Sequence, residues 1–356
     1  MPLLTHDSNS IDATENTPSS HLHLAVIGHP IHHSVSPKLH AGFAQEMNAS
    51  SIDVYHQTLK VSYEAEHVIP DVLEAWFEEV KHSQRLRGFN LTLPHKQAIL
   101  PLLDTLTPEA EVLGAVNTMV LDRNTHTWIG HNTDGMGAWL ALHPTLRTRL
   151  RSDDGHAIFL GIGGSAKAVA STLVREGVQR FTLIARDLKK AEAFKHHLQV
   201  VQCHSAERGD TPIRVELLVW PKTVSMWVST LRRLSKGVLI QTTPMGMVSH
   251  EGQDRPIPQD AWLEAFPPDT LCHESSPPDV FDLIYTPLTT ALMHDANTAG
   301  ANIVQHGLGM LVLQGALAFE YWTGYAPLVL QDARSGVLYE THSPDPWEKY
   351  AQSLMV

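Results

Sequence analysis

Two periods of apolar and polar positions alternate along this chain, and the switches between them mark out its elements. Leu24-Ala25-Val26-Ile27 is a short continuous apolar run closed by Gly28-His29-Pro30, the pattern of a buried strand. The spacing then turns helical. Ser36 is placed to cap, Pro37 suits the first helical position, and apolar residues recur through Met47. Residues 54–61 alternate like a strand. Residues 65–80 have helical spacing with Trp76 and Phe77 as core candidates, and residues 86–93 predict a third strand. Residues 116–121 and 127–130 predict a hairpin across Asp122-Arg123-Asn124-Thr125.

Around residues 147–155 the chain turns polar and charged, and a domain boundary is expected there. Beyond it come a strand at 157–160, a glycine turn at 161–166, a helix at 169–176, a strand at 181–185 and a helix at 188–198. This is a βαβ unit, which implies a parallel sheet with right-handed crossovers. Residues 217–220, 238–242 and 280–284 offer further strands, and residues 287–299 and 308–322 are helical. The proline-rich stretch 249–278 is expected to be mostly loop. Residues 1–20, rich in Ser, Thr, Asn and Asp, are expected to form a disordered tail.

Composition narrows the class. The chain has 356 residues with 43% hydrophobic and 18% charged, which favours two globular domains without a stabilising staple. Cys203 and Cys272 are its only cysteines, which excludes a four-thiolate zinc site and suits a reducing compartment. The formal charge of −12 argues against a general nucleic-acid binder. No apolar run reaches transmembrane length; the nearest, residues 307–322, contains Gln314 and Glu320. No Lys or Arg precedes Lys38, so no signal or transit peptide is expected. No His-Glu-x-x-His or similar metal spacing occurs. These features predict a soluble, cytoplasmic, metabolic protein with no metal, nucleic-acid or membrane partner.

Five segments or pairs could carry chemistry. Gly161-x-Gly163-x-x-Ala166 fits a dinucleotide fingerprint: the first glycine permits a tight turn, the second lets backbone approach a pyrophosphate, and the small third residue lets helix and strand pack closely. The plain alternative is a tight turn without ligand. After the next strand, Ala185-Arg186-Asp187-Leu188-Lys189-Lys190 holds an acid that could bind a ribose hydroxyl and bases that could bind a 2′-phosphate. The bases outnumber the acid, which favours NADP over NAD; alternatively, Asp187 only caps a solvated helix start. Ser34-Val35-Ser36-Pro37 offers two hydroxyls to one small carboxylate at a helix start, where the bland reading of Ser36 is an N-cap. Asn90-Leu91-Thr92-Leu93-Pro94-His95-Lys96 forms a polar strand mouth, though alone its lysine reads as solvated. Asn117 and Asp134 fall at the base of the predicted hairpin, where capping is the alternative for Asp134.

Taken together these segments resemble the shikimate dehydrogenase family. The resemblance runs from about Leu24 to Trp322 and includes Gly114-Ala115-Val116-Asn117-Thr118, Asn132-Thr133-Asp134-Gly135, Asp282-Leu283-Ile284-Tyr285-x-Pro287 and Gly307-Leu308-Gly309-Met310-x-x-x-Gln314. It implies a two-domain α/β enzyme: a discontinuous substrate domain (21–146 and 308–356) and a Rossmann-type NADP domain with a doubly wound parallel sheet (147–307). It implies that Ser34 and Ser36 bind the shikimate carboxylate, that Asn90, Thr92, Asn117 and Gln314 bind its hydroxyls, and that Lys96 and Asp134 are the catalytic pair. Gly161, Gly163, Gly164 and Ser165 would line the pyrophosphate, and Ala185, Arg186 and Lys190 the adenosine end. Tyr285, as a substrate-binding residue, and Gly307 would lie at the substrate–nicotinamide junction, with Thr243 and Met310 on the cofactor side.

The chain departs from the family in three places, one of them His131 before Asn132, where the family has an acidic residue nearby. Ala185-Arg186-Asp187 stands where the family often has Asn-Arg-Thr, and Gln241 begins a segment that in the family begins with Asn. Residues 199–236 and those after Trp322 match poorly, and Trp220, Trp227 and Trp262 are expected to be packing residues. The expected activity is reversible hydride transfer between NADPH and 3-dehydroshikimate, in chorismate and aromatic amino acid biosynthesis. A lysine serves as base in one direction and acid in the other, typically worth about 10²–10⁴-fold. Quinate with NAD, or a metabolite-sensing module without turnover, stay open as alternatives, as does a homodimer.

Overall fold

The computed structural model describes residues 21–32, 34–50, 60–122, 124–205, 212–247, 254–267, 276–339 and 346–354. The expected tail, most of the strand expected at 54–61, and Cys272 lie outside these residues.

Among the described residues, two six-stranded sheets organise the chain. The first half runs β1 (His21–Gly28), α1 (Ser36–Ala49), β2 (Lys60–His67), α2 (Leu73–Ser83), β3 (Gly88–Leu91), α3 (His95–Ala98), β4 (Thr105–Leu106), α4 (Pro108–Leu113), β5 (Thr118–Asp122) and β6 (Thr127–His131). Its sheet order is β2-β1-β3-β5-β6-β4, parallel at β2-β1-β3 and antiparallel at β3-β5-β6. The predicted hairpin is the β5–β6 pair.

Two helices follow, α5 (Asp134–Ala141) and α6 (Pro144–Leu150), and then the second sheet. It comprises β7 (Ala157–Leu160), α7 (Gly164–Arg175), β8 (Arg180–Ala185), α8 (Leu188–His204), β9 (Arg214–Val219), α9 (Val224–Arg233), β10 (Val238–Gln241), α10 (Gln259–Ala265), β11 (Asp279–Asp282), α11 (Ala291–Thr298) and β12 (Val304–Gln305). The chain ends in α12 (Leu308–Thr323), α13 (Leu328–Ser335) and α14 (Glu348–Leu354). All pairs in the second sheet are parallel, and its order is β9-β8-β7-β10-β11-β12. The order reverses between β7 and β10. In a doubly wound sheet, ligands bind at the strand carboxyl ends beside such a reversal.

The apolar runs explain the layers. β7 and β10 are buried on both faces, as central parallel strands must be. In β1, Leu22 and Leu24 pack towards Ala318 and Trp322 of α12, while Ala25 and Ile27 join the core beneath Phe77 and Phe89. The Trp322 indole fits against Gly88, and its Nε1–H donates to the Met119 carbonyl (2.8 Å). Helix α5 is buried almost throughout and touches both α7 and α12. A Cβ at Gly137 would lie 2.7 Å from the Gln314 backbone nitrogen, and one at Gly135 would collide with Ala168 of α7. Among the described residues no helix is long and apolar enough to cross a membrane, and no cluster of three or more side chains could hold a metal ion.

Three sequence expectations need correction. The second strand occupies 60–67, because Val61 and Tyr63 pack on the α12 side at a sheet edge and Pro70 delays the helix to Leu73. The proline-rich stretch contains α10, whose Ala261, Trp262 and Ala265 are buried and whose N-cap is Pro258. At α1 the N-cap is Val35, Ser36 is the first helical residue, and no side chain caps the helix.

Candidate active site

Lys96 follows the end of β3 on the short helix α3. Its neighbour His95 is fully buried, with Nε2 2.6 Å from the Val68 carbonyl, which pins that turn. Asp134 opens α5. Residues 38 apart in sequence therefore meet: Lys96 Nζ lies 2.5 Å from Asp134 Oδ2. The Lys96 side chain is 29% exposed and that of Asp134 11%, so one partner faces the opening while the other is walled in.

Asn117, just before β5, organises the surroundings. Its Nδ2 donates to Asp134 Oδ1 (2.8 Å), to Thr133 Oγ1 (2.9 Å) and towards Gln314 Oε1 (3.4 Å). Its Oδ1 accepts from the Thr133 backbone N–H (2.9 Å). Asn132 Oδ1 accepts from the Asp134 N–H (3.1 Å). Both Asp134 oxygens are thus fixed, one by the amide and one by the ammonium. The capping reading of Asp134 does not hold, since α5 has no side-chain cap.

A second chain of bonds joins Asn90. Its Nδ2 donates to the Asn117 carbonyl and to Thr118 Oγ1, both at 3.0 Å, and its Oδ1 accepts from the Tyr63 hydroxyl (2.6 Å). Burial pushes the Tyr63 phenol well above its ordinary range, opposed by the Ser36 hydroxyl beside it. Tyr63 therefore connects Ser36 with Asn90. His40 stacks flat on Tyr63 at 4.1 Å. Its ring nitrogens are buried, and burial lowers its pKa to about 3, opposed by the Asn90 side chain. The Ser34 hydroxyl lies 3.4 Å from the Ser36 N–H, and the Thr92 methyl packs towards Gly28.

The second region lies at the reversal between β7 and β10. Gly161 has φ +93°, and a Cβ there would sit 2.7 Å from the Thr243 methyl, so both conformation and space favour glycine. Gly163 is the N-cap of α7, and neither Gly163 nor Gly164 would place a Cβ within 4 Å of another group. Together with Ser165, these residues present an open helix start suited to an anion. A cavity of about 440 Å³ adjoins it, lined among others by Ala185, Arg186, Lys190, Trp220, Thr243 and Asp254. Asp187 caps α8, accepting from the Lys189 N–H (2.9 Å) and the Lys190 N–H (3.2 Å). Gln241 braces the neighbouring loop through Thr243 Oγ1 (2.9 Å) and the Met245 carbonyl (3.1 Å).

Tyr285, Gly307 and Met310 form a third group, at the turn from β11 and the start of α12, and they do not line that cavity. The Gly307 N–H donates to the Ile284 carbonyl (2.9 Å), and a side chain at 307 would collide with Leu283. Burial raises the Tyr285 phenol pKa. Burial also lifts Asp282 to about 6, although it accepts from the Ile284 N–H (3.0 Å) and Thr290 Oγ1 (2.7 Å).

Sequence reasoning assigned no role to Thr133, Tyr63 or Asp254. It placed Trp220 with Trp227 and Trp262 as packing. The latter two are 2% and 0% exposed, whereas Trp220 is part-exposed and lines the cavity. The available signal was position, since Trp220 directly follows a strand that pairs with Ala185.

A family model described as the shikimate dehydrogenase substrate binding domain matches residues 26–119, and one described as the shikimate 5′-dehydrogenase C-terminal domain matches residues 307–328. A shikimate dehydrogenase (NADP(+)) from Symbiobacterium thermophilum is 34% identical over 302 residues, covering 85% of this chain and 88% of that protein. The crystal structure of shikimate 5-dehydrogenase from Thermus thermophilus, in complex with NADP(H) and shikimate, superposes with TM-score 0.64 at 31% identity, covering 88% and 99% of the two chains. The enzyme from Listeria monocytogenes, in complex with shikimate and NAD, gives TM-score 0.70 at 25% identity, covering 91% and 99%.

Proposed function

Because this chain belongs to the shikimate dehydrogenase family, we propose that it catalyses the reversible NADP-dependent oxidation of shikimate to 3-dehydroshikimate, with Lys96 and Asp134 as its acid–base pair. The observation that carries the mechanism is the Lys96–Asp134 contact, held by Asn117 at the meeting point of α3, β5 and α5.

The residues of the second region fit a dinucleotide. Gly161 and the open turn at Gly163, Gly164 and Ser165 leave backbone N–H groups for a pyrophosphate, and Arg186 and Lys190 supply positive charge for a 2′-phosphate. The chemistry supplied by the bound cofactor is hydride transfer; the other tasks fall to the chain. Ser34 and Ser36 hold the substrate carboxylate. Asn90, Thr92, Asn117 and Gln314 orient its hydroxyls. In oxidation Lys96, as the neutral amine, takes the hydroxyl proton at Nζ and becomes an ammonium paired with Asp134; in reduction that ammonium returns the proton to the new alkoxide. Thr243, Tyr285, Gly307 and Met310 border the junction between substrate and nicotinamide.

On this reading residues 21–146 with 308–356 bind the substrate and residues 147–307 bind the dinucleotide. Support comes from the division of strands between the two sheets and from the packing of α12 on α1 and α5. The reaction would serve chorismate and aromatic amino acid biosynthesis. We place it in the cytoplasm, a reading supported by the use of only two cysteines.

The test is absorbance at the reduced-nicotinamide band with shikimate or quinate and NADP or NAD. Reduction of NADP by shikimate is expected to dominate. Reduction only with quinate, or no reduction by folded protein, would overturn the reading.

A further inference from the structure

Among the described residues, Arg186 has no carboxylate partner. Its guanidinium lies over the Trp220 ring, 5.4 Å from the centroid, and one terminal N–H group donates to Met245 Sδ at 3.5 Å, a weak acceptor. Two acids stand in the same cavity, Asp187 and Asp254. Asp187 is committed to the N–H groups that open α8. The positive charge is therefore held by an aromatic face and left unneutralised, which favours an incoming anion.

Trp220 itself is held firmly. Its backbone N–H donates to the Ala185 carbonyl (2.9 Å), extending the β8–β9 pairing by one residue and setting Trp220 beside Arg186. Its ring meets Trp227 edge to face, with centroids 5.5 Å apart and planes at 89°. Trp227, on α9, is 2% exposed and anchored in the core. The indole is thus a fixed shelf, and a guanidinium on an aromatic face is attracted by the ring quadrupole. Without that shelf, the long Arg186 side chain would be free to turn to solvent or towards Asp254.

We infer that Trp220 sets a preference for 2′-phosphorylated over 2′-hydroxyl dinucleotides, by holding the Arg186 guanidinium at the adenosine end of the cavity. This rests on the proposed dinucleotide reading, and it assigns a positioning role to a residue outside the glycine turn and the basic helix start.

The test is calorimetric binding of 2′,5′-ADP and 5′-AMP to the full chain and to W220F and W220L, with the shikimate KM as a check on general damage. The unmodified chain is expected to bind 2′,5′-ADP the tighter. W220L should lose about three- to tenfold in 2′,5′-ADP affinity, as removal of a cation–π contact implies. Its 5′-AMP affinity and shikimate KM should stay within about twofold, and W220F should keep most of the preference. If W220L does not fold, W220Q replaces it. Equal weakening of both fragments, or an unchanged ratio, overturns the inference and returns Trp220 to packing. Equal binding of the two fragments by the unmodified chain also overturns it, while leaving the dinucleotide reading intact. Binding of neither fragment overturns both.

Discussion

At the Lys96 end of the molecule, polar side chains bond one another. Asn117 alone reaches Asp134, Thr133 and Gln314, and Asn90 ties that group to Tyr63. At the Arg186 end, the guanidinium rests on an indole and a thioether, and much of the surface for an anion is bare glycine backbone. The contrast follows the two tasks. Proton transfer depends on heavy-atom positions within hydrogen-bond reach, so its groups are oriented by a crowded network. Gripping a charged ligand depends on donors that have not been spent elsewhere.

The comparison breaks most sharply at the proton-transfer pair. Lys96→Ala should lower kcat by about 10²–10⁴-fold while the shikimate KM changes far less. Steady-state kinetics at saturating NADP decides this, and near-native turnover would remove Lys96 from the mechanism. Next comes the network itself. Asn117→Ala strands the buried Thr133 N–H and frees Asp134, so it should cost roughly 3 kcal/mol in a denaturant titration, with kcat reduced as well. An unchanged midpoint would mean that the network is not under tension from burial. At the other end, Gly161→Ala forces a side chain into positive φ and against Thr243, at a cost of about 2 kcal/mol. Its signature is the reverse: dinucleotide affinity should fall and the shikimate site should remain intact, as fragment binding would show.

The smallest effect is read by pH. The folded pKa of His40, lowered to about 3 by burial, lies below its ordinary 6.5. The unfolded chain therefore takes up the proton first. This contribution to stability is fully present above pH 6.5 and is lost as pH falls towards 3, amounting to roughly 2 kcal/mol at pH 5. Thermal midpoints at pH 7 and pH 5 should differ less in His40→Leu than in the unmodified protein, and equal differences would show that His40 is not the group responsible.

Much of the second half was legible because a central parallel strand must be apolar on both faces. The run 157–160 and the glycine turn after it admit little else. The first half was harder to read. β2 is an edge strand in which Val61, Tyr63 and Ala65 alternate with polar residues, and it runs on past residue 61, where the sequence reading ended the strand. α10 was hidden among prolines because one of them serves as its N-cap. Lys96 read alone as a solvated lysine, since nothing local announces a partner 38 residues away; only the combination of motifs pointed to Asp134. Trp220 does pack against the core beside Trp227, as expected, but its second place, bordering the cavity, was not legible. An apolar residue at a strand end signals burial but not what rests on its exposed face.

The closure of β1 and β3 by α12 bears on how the chain is made. Leu22, Leu24 and Gly88 are covered by a helix that begins only at Leu308. A ribosome releases the first sheet long before its cover exists, whereas the second sheet has all its strands by Gln305. The nascent first half must therefore wait with an apolar face open, the condition in which a growing chain is most exposed to aggregation and to chaperone capture. Synthesis stopped between residues 305 and 322 would leave the second sheet with its full set of strands beside a first sheet that lacks its cover.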